Sequence, residues 1–222
     1  MKGKKIKIRY KRLFLFLIIL FVIGIILFYF INLKISNIYV SGNSYLSDQD
    51  IIEIAKIDKY PRTLFNSSFD IKRRLVSSNY IESVKVNKKF LTKVYIEVIE
   101  NKPLFYSEIL KKTVLKDGSL VSDKFNVPIL TTDVSKDIYD EFLEKFSKID
   151  SVVFDNISEV SYTPRDVDKE LFMLTMNDGN YISVNLNRFD TVNKYFDMVI
   201  KFNNHKGILY LDSGEYFKIL GN

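Results

Sequence analysis

The chain has 222 residues, which allows one or two folded domains, and a formal net charge of +6 from 33 basic and 27 acidic side chains. It contains no cysteine and a single histidine, His205. Disulfides, cysteine nucleophiles, thiolate metal sites and histidine pairs are therefore excluded.

The positive charge is concentrated at the N-terminus. Seven of the 33 basic residues stand among the first twelve positions, where there is no acidic residue, so the other 26 face all 27 acidic side chains. The rest of the chain is nearly neutral, and we expect no binding to nucleic acid because topology and anionic membrane lipid account for the basic tail. These seven residues are Lys2, Lys4, Lys5, Lys7, Arg9, Lys11 and Arg12.

An uncharged apolar segment at 13–31 follows the basic tail. As a helix that rises ~1.5 Å per residue, it matches the ~30 Å hydrocarbon core of a bilayer. A cleaved signal peptide is disfavoured because the segment is long and does not end in small residues, and a buried core helix is disfavoured because there is no polar stripe. We predict one membrane span with residues 1–12 in the cytoplasm, since cations are retained on that side. The remainder is then extracytoplasmic.

Residues 35–105 predict a small α+β domain that starts close to the membrane. A first strand ends at a Ser-Gly-Asn turn, and two short helices follow. Ser47 with Asp50, and then Ser67 with Asp70, have the spacing of capping boxes. The side chains expected in the core are Ile51, Ile52, Ile54 and Ala55 in the first helix and Phe69, Ile71, Leu75 and Val76 in the second.

Two strands are predicted to complete this domain. Residues 81–86 and 94–99 alternate apolar and polar side chains, and residues 87–93 separate them. Val94, Ile96 and Val98 occupy one side of the second strand. The element order is therefore strand, helix, helix, strand, strand.

Residues 106–222 predict a second, β-rich domain. An Asp-Gly turn connects two strands within 113–121, and an Asn-Asp-Gly-Asn turn connects strands at 171–176 and 181–186. Another strand is predicted at 157–162. This part of the chain is thus expected to be built largely from hairpins.

Two amphipathic helices and a final hairpin complete the β-rich domain. The first helix begins after Asp133 or Ser135, and the second covers about 190–203. Two last strands, at 208–211 and 215–220, flank an Asp-Ser-Gly turn. The side chains expected in the core are Ile138, Phe142, Phe146 and Ile149 in the first helix and Val192, Tyr195, Phe196, Val199 and Ile200 in the second.

Several motifs occur in the order typical of a POTRA domain. They include Tyr-Val-Ser-Gly-Asn at 39–43, Thr-Leu-Phe at 63–65, and Val-Ile-Glu-Asn-Lys-Pro at 98–103. With a basic tail and one span before it and a β-rich domain after it, the chain resembles the FtsQ/DivIB family of bacterial cell-division proteins. One departure is the turn at 88–93, where relatives often carry proline and this chain has none.

The fold class that follows is α+β. It comprises an N-terminal transmembrane helix at 13–31, a POTRA-type β-α-α-β-β domain at 35–105, and a β-rich α+β domain at 106–222 with an exposed C-terminal edge strand.

Nothing in the sequence indicates an enzyme, a metal site or a cofactor. His205 follows a predicted helix, where a cation interacts well with the helix dipole. The carboxylates of the predicted helix after Ser135 fall on its solvent side and do not form a general acid and base pair. These carboxylates are Asp137, Asp140, Glu141 and Glu144.

The resemblance implies a non-enzymatic scaffold at the cell membrane, concentrated at the division septum. The implied partners are two small bitopic coiled-coil proteins, FtsB/DivIC-like and FtsL-like, and through them the septal peptidoglycan synthase. It also implies that the last strands form the main docking edge. The residues carried over are Tyr210, Leu211, Asp212, Ser213, Gly214, Tyr216, Phe217 and Lys218.

Strand pairing is the physical mechanism open to such an edge, because main-chain hydrogen bonds to an added strand supply affinity. Tyr216 and Phe217 point to opposite faces, so only one of them can be a core residue. The competing interpretation is that both are covered by the chain's own helices. Two other function classes remain: an anchored POTRA protein of a secretion or transport system, and a wall hydrolase, for which an acid pair or zinc site is missing.

Overall fold

The computed structural model describes residues 10–202 and 205–220. The chain divides between Glu100 and Asn101 into two compact units. The sequence-based boundary was placed at residue 105, within a strand that pairs in the second unit.

Helix α1 spans Tyr10–Asn32, and none of its side chains is buried. It contains the whole predicted segment 13–31 and has a mean hydropathy of 3.3 in its most apolar window. By length and composition it can cross a membrane, and it is the one such helix among residues 10–202 and 205–220.

The rest of the first unit packs two helices on a three-stranded sheet. The sheet order is β1-β3-β2, with β1 parallel and β2 antiparallel to the central β3. This arrangement confirms the predicted order of strand, helix, helix, strand, strand. The elements are β1 (Asn37–Ser41), α2 (Asp48–Ile54), a 3-10 turn at Thr63–Phe65, α3 (Ser68–Val76), β2 (Ile81–Lys89) and β3 (Lys93–Glu100).

Both predicted helix caps are present. The Ser47 hydroxyl accepts a hydrogen bond from the backbone N–H of Asp50 at 3.2 Å, and the Asp50 carboxylate accepts one from the N–H of Ser47 at 2.9 Å. Hydrogen bonds from Ser47 lower the pKa of Asp50. Ser67 caps α3 through its hydroxyl, which accepts a hydrogen bond from the N–H of Asp70 at 3.1 Å and donates one to the Asp70 carboxylate at 2.5 Å. The local sequence therefore determines where both helices begin.

The core of the first unit lies between these helices and one face of the sheet. It contains the predicted Val94, Ile96 and Val98 of β3. In α3 the buried residues are Ile71 and Leu75, whereas Phe69 and Val76, which were also expected in the core, are exposed. The prediction was wrong for these two because α3 buries a narrow i, i+4 stripe, and both residues lie well away from it around the helix.

The β2–β3 connection differs from the sequence expectation. The strands extend to Lys89 and from Lys93, so the turn is only three residues long. Phe90 and Leu91 have φ of +50° and +61°, a left-handed conformation that costs about 1 kcal/mol or more for residues with side chains. Here two large apolar residues occupy positions that glycine or asparagine usually fills.

The second unit contains a nine-stranded sheet with the order β12-β11-β10-β9-β8-β7-β4-β5-β6. Most pairs are antiparallel, while β7 pairs in parallel with β4 and β8, and β11 with β10. The strands are β4 (Pro103–Ser107), β5 (Lys112–Leu115), β6 (Leu120–Val121), β7 (Ile129–Leu130), β8 (Ile157–Tyr162), β9 (Leu171–Met176), β10 (Tyr181–Asn185), β11 (Gly207–Tyr210) and β12 (Tyr216–Ile219).

Aromatic side chains fill the core of the second unit. Helix α4 (Lys136–Ser147) places Phe142 and Phe146 over the sheet, and Phe142 stacks on Phe172 with ring centroids 4.7 Å apart. Phe105 of β4 packs on both α4 rings. A short helix, α5 (Ser151–Phe154), follows α4. These rings bury enough apolar area to hold helix and sheet together.

The prediction of an α-helix at about 190–203 is wrong, because most of this segment is 3-10 helix. The chain forms a 3-10 helix at Leu186–Lys194, one α-helical turn, α6 (Tyr195–Val199), and another 3-10 turn at Ile200–Phe202. Leu186, Phe189, Val192 and Tyr195 recur every three residues and are all buried. That period places them on one face of a 3-10 helix. Phe196 and Ile200, which α-helical spacing assigned to the core, are exposed, and Asn203 lies outside the described residues.

Gly42, in the turn after β1, is required by both conformation and space. Its φ is +88°, and a Cβ there would overlap the carbonyl oxygen of Val98. We expect Gly42→Ala to lower the free energy of unfolding of residues 33–222 by about 2 to 4 kcal/mol, measured by urea denaturation.

Gly179→Ala is the matched control for this substitution. Gly179 has the same φ of +88°, but a Cβ there would lie 3.8 Å from the Lys206 side chain, an ordinary contact. Gly179→Ala should lower the free energy of unfolding by about 1 kcal/mol, because only the backbone conformation is unfavourable for alanine. Equal losses for the two variants would show that close approach to Val98 is not what requires glycine.

Candidate functional site

The C-terminal hairpin, β11 and β12 with their connecting turn, forms one end of the nine-stranded sheet. β11 pairs with β10 in parallel and with β12 antiparallel. Within the described residues β12 has a neighbouring strand on one side only. The predicted exposed edge strand is thus confirmed, and the eight residues assigned to docking lie on this hairpin.

The hydrogen-bond register shows which main-chain groups of β12 face outward. Leu220 donates its N–H to the carbonyl of Lys206 at 2.9 Å, so this is a hydrogen-bonded pair. Because bonded and non-bonded pairs alternate in an antiparallel ladder, Phe217 and Ile219 belong to the non-bonded pairs with Leu209 and Gly207. The N–H and C=O groups of Phe217 and Ile219 therefore point away from β11, toward the open edge.

The two faces of β12 differ in burial. The Phe217 ring packs on the core and stacks on Phe202 with centroids 4.5 Å apart. Tyr216 points to the other face, is 51% exposed and stacks on Tyr210 at 4.7 Å. The interpretation in which both Tyr216 and Phe217 are covered is therefore wrong for Tyr216. Lys218 is exposed on the same face as Tyr216.

The turn between β11 and β12 is anchored from the inside. Leu211 is fully buried and donates its N–H to the carbonyl of Ser183 at 2.7 Å. The Asp212 carboxylate accepts hydrogen bonds from the Ser183 hydroxyl at 3.3 Å and from the N–H of Ser213 at 2.7 Å. Leu211 and Asp212 thus fix the turn to β10, while the outer residues remain open to solvent.

Arg188 also holds this turn, a role that no sequence pattern indicates. It lies in the 3-10 helix Leu186–Lys194 and donates to the carbonyl of Gly214 at 3.2 Å and to the Glu215 carboxylate at 3.1 Å. Both partners are 26 or more residues away in sequence. Local patterns do not reveal such contacts, so this positioning role appears only in the folded chain.

A hydrogen-bond network secures the start of β11. The N–H of Gly207 donates to Asn180 Oδ1 at 2.9 Å, in a buried position. Asn180 Nδ2 donates to the hydroxyl of Tyr195 at 2.9 Å, and that hydroxyl donates to Asp178 Oδ2 at 2.6 Å. The β9–β10 turn and α6 therefore jointly determine where the C-terminal hairpin starts.

This network shifts the pKa values of its members in opposite directions. Burial, followed by the hydrogen bond to Asp178, raises the pKa of Tyr195. Burial would also raise the pKa of Asp178, but hydrogen bonds from Tyr195 and Asn180 outweigh it and lower that pKa. The phenol therefore stays protonated and the carboxylate ionised, which is the state that the hydrogen bonds require.

The other residues singled out from the sequence lie apart from the hairpin's outer edge. Lys11 and Arg12 are exposed in the first turn of α1, and the other five basic residues of the tail lie outside the described residues. His205 is exposed and donates its backbone N–H to the carbonyl of Phe202 at 3.0 Å. Residues 10–202 and 205–220 contain no group of three or more side chains that could hold a metal ion.

Comparison with known proteins assigns the first unit to a family. Residues 33–101 match the family described as "POTRA domain, FtsQ-type". Relatives align along nearly the whole chain. The Cell division protein DivIB of Bacillus subtilis is 24% identical over 95% of this chain and 84% of its own. The Cell division protein DivIB of Listeria monocytogenes is 26% identical over 96% of this chain and 84% of its own. The Cell division protein DivIB of Bacillus cytotoxicus is 28% identical over 94% of this chain and 86% of its own.

These matches confirm the resemblance of the chain to the FtsQ/DivIB family. Residues 33–101 are similar to an FtsQ-type POTRA domain, and the DivIB relatives support a cell-division role for the chain. Together with α1, the relatives indicate a membrane-anchored division protein. A solved structure, the major extracytoplasmic domain of DivIB from Geobacillus stearothermophilus, aligns over 42% of this chain and 87% of its own, with 20% identity and a TM-score of 0.37.

The hydrogen-bond network at Tyr195 yields a prediction for the stability of this chain. Tyr195→Phe removes one donor from Asp178 and should lower the free energy of unfolding at neutral pH by about 1 to 2 kcal/mol. Because the pKa of Asp178 is lowered by folding, its stabilisation is present above pH ~4 and is lost as the pH falls through the folded-state value.

The difference between wild type and Tyr195→Phe should therefore shrink in acid. Urea denaturation of residues 33–222 between neutral and acidic pH measures it, with Tyr216→Phe, on the exposed face of β12, as a control of near-zero effect. A difference that stays constant down to the most acidic conditions would exclude the Asp178 carboxylate as the partner that matters.

Proposed function

We propose that this chain is a non-enzymatic scaffold whose C-terminal hairpin accepts a strand from a small division protein. The observation that carries the proposal is the open edge of β12, where Phe217 and Ile219 present outward N–H and C=O groups. An added strand satisfies these groups with main-chain hydrogen bonds. In this proposal, the cell-division role that the DivIB relatives support is exerted at this edge.

Side chains beside the edge supply selectivity. On one face Tyr216 stacks on Tyr210, and Lys218 adds a positive charge. On the other face, Phe217 and Phe202 line a small groove together with Met198. Alternate side chains of an added strand would meet these two different surfaces. The Arg188 contacts already fix the turn, so less ordering accompanies binding.

The proposed partners are FtsB/DivIC-like and FtsL-like bitopic proteins, and through them the septal peptidoglycan synthase. Such partners share a bilayer with α1, which raises their effective concentration at the hairpin. A four-residue edge strand can therefore act without high intrinsic affinity. The chain controls wall synthesis in this proposal and does not perform it.

We propose further that the N-terminus is cytoplasmic, that both folded units are extracytoplasmic, and that the chain is concentrated at the septum. The seven cations before the span support this orientation. They also favour the anionic lipid of the inner surface.

The carboxylates of α4 support the non-enzymatic part of the proposal. All four are exposed along the helix, which supports a solubility role rather than acid–base catalysis. They are Asp137, Asp140, Glu141 and Glu144.

Replacement of Ile219 by proline tests the edge directly. The N–H of Ile219 faces outward, so Ile219→Pro removes a donor from the open edge without removing a bond to β11. We expect the affinity of residues 33–222 for the extracytoplasmic part of the FtsB/DivIC-like protein of the same bacterium to fall about tenfold or more, measured by calorimetry.

Ile219→Ala is the matched control, because it shortens the same side chain and keeps the N–H group. It should change the affinity by about threefold or less, since the Ile219 side chain is half-exposed. Circular dichroism verifies that both variants stay folded. Equal affinity of the proline and alanine variants would contradict pairing at this edge, and absence of binding by the wild type would reopen the partner assignment.

A further inference from the structure

The first unit exposes four large apolar side chains next to the end of α1. Leu64 and Phe65, in the 3-10 turn, are 60% and 62% exposed, and Phe90 and Leu91, in the β2–β3 turn, are 84% and 54% exposed. We call these four residues the membrane-proximal tip. No part of the first unit covers these four apolar side chains. Whatever covers them has to come from outside the unit.

Hydrogen bonds hold the tip at the end of α1. The N–H of Thr63 donates to the carbonyl of Leu33 at 2.8 Å, immediately after the helix. The N–H of Ile35 donates to the carbonyl of Pro61 at 3.0 Å, and the N–H of Ser36 donates to the carbonyl of Thr92 at 2.8 Å. Both turns are therefore tied to residues 33–36, which directly continue the apolar helix.

Lys88 joins the two turns to each other. Its ammonium group donates to the carbonyl of Thr63 at 2.8 Å, to the Thr63 hydroxyl at 2.7 Å and to the carbonyl of Asn66 at 2.5 Å. The Thr63 hydroxyl in turn donates to the carbonyl of Leu91. Burial lowers the pKa of Lys88. The tip is therefore one connected structure and not two independent loops.

The conformation of the β2–β3 turn displays its side chains outward. Phe90 and Leu91 both have positive φ, where asparagine or glycine is usual. Neither side chain is buried in the unit, so no core packing offsets this unfavourable conformation. In a turn facing water, polar residues such as asparagine would tolerate the positive φ better and would be better solvated.

Basic residues flank the apolar tip in the sequence. The segments 33–36, 61–66 and 88–93 contain five basic residues and no acidic one. Lys34, Arg62 and Lys89 are exposed. Exposed cations next to exposed apolar side chains are complementary to a membrane surface with anionic headgroups, where long basic side chains remain at headgroup level.

We propose that the membrane-proximal tip inserts into the outer leaflet, at the boundary between headgroups and acyl chains, and so fixes the POTRA unit on the bilayer. The bilayer is a partner already in place, because the tip is hydrogen-bonded to the end of the apolar helix. The proposal rests on α1 spanning the membrane, and it adds a second, shallow attachment. The orientation of the unit to the bilayer is then determined by the fold and not by a free linker.

Spin labelling of the full chain tests this insertion. The chain has no cysteine, so single-cysteine variants need no background substitution. Nitroxides at Leu64→Cys and Phe90→Cys report collision rates with oxygen, which partitions into lipid, and with a nickel chelate, which stays in water. The chain is reconstituted in vesicles of equal parts phosphatidylglycerol and phosphatidylethanolamine.

Two control positions make the result interpretable. Ile99→Cys lies on an exposed aliphatic side chain near the far end of β3, roughly 20 Å from Lys93 at ~3.3 Å per residue. Val22→Cys lies in the middle of α1. We expect the ratio of oxygen to nickel collisions at 64 and 90 to exceed that at 99 several-fold, and the ratio at 22 to be highest.

Three other outcomes would overturn the proposal, each in a distinguishable way. Ratios at 64 and 90 equal to that at 99, with 22 immersed, would mean that the tip stays in water although α1 spans the bilayer. Low collision rates with both reagents at 64 and 90 would mean that a protein surface covers the tip. A ratio at 22 no higher than that at 99 would refute the membrane anchoring in the proposed function as well.

Discussion

The hydrogen-bond register of the C-terminal hairpin is the constraint on which the properties of this edge depend. Because β11 is committed to β10 on one side and to β12 on the other, the outward groups of Phe217 and Ile219 are the ones left at the sheet's end. The buried bond from Gly207 to Asn180 fixes where that register begins. A shift by one residue would exchange the faces of Tyr216 and Phe217, exposing the core ring and burying the half-exposed one.

The sequence revealed those elements whose signals are local. Capping boxes located α2 and α3, and the Asn-Asp-Gly-Asn turn located the hairpin of β9 and β10. Three features have signals that are weak or misleading. β4 lies in the interior of the sheet and is buried nearly throughout, so it shows no alternation. Leu186 to Tyr195 repeats every three residues, a period that an α-helical pattern approximates over one turn but not over three. The turn at Phe90 and Leu91 has no turn residue at all.

The candidate site divides in the same way between local and distant information. Resemblance placed eight residues on one hairpin, and period-two alternation separated Tyr216 from Phe217. The residues that hold the hairpin in place, Arg188, Asn180 and Tyr195, come from other elements, and their contacts cross 15 to 27 residues. No periodic pattern encodes such pairs, because each depends on how separate elements pack against one another. Sequence reasoning therefore finds the edge strand more readily than the residues that support it.

A short open edge suits an anchored protein better than a free one. An exposed strand invites pairing with any chain, and natural sheets limit this hazard by keeping the edge short and charged. β12 has four residues and carries Lys218, so it offers few hydrogen bonds to an unselected partner. Confinement to a bilayer compensates, because a partner in the same membrane is present at high effective concentration. In the proposed function, attachment through α1 thus permits a weak edge at β12, and selectivity would come from which proteins share the membrane as much as from the strand itself.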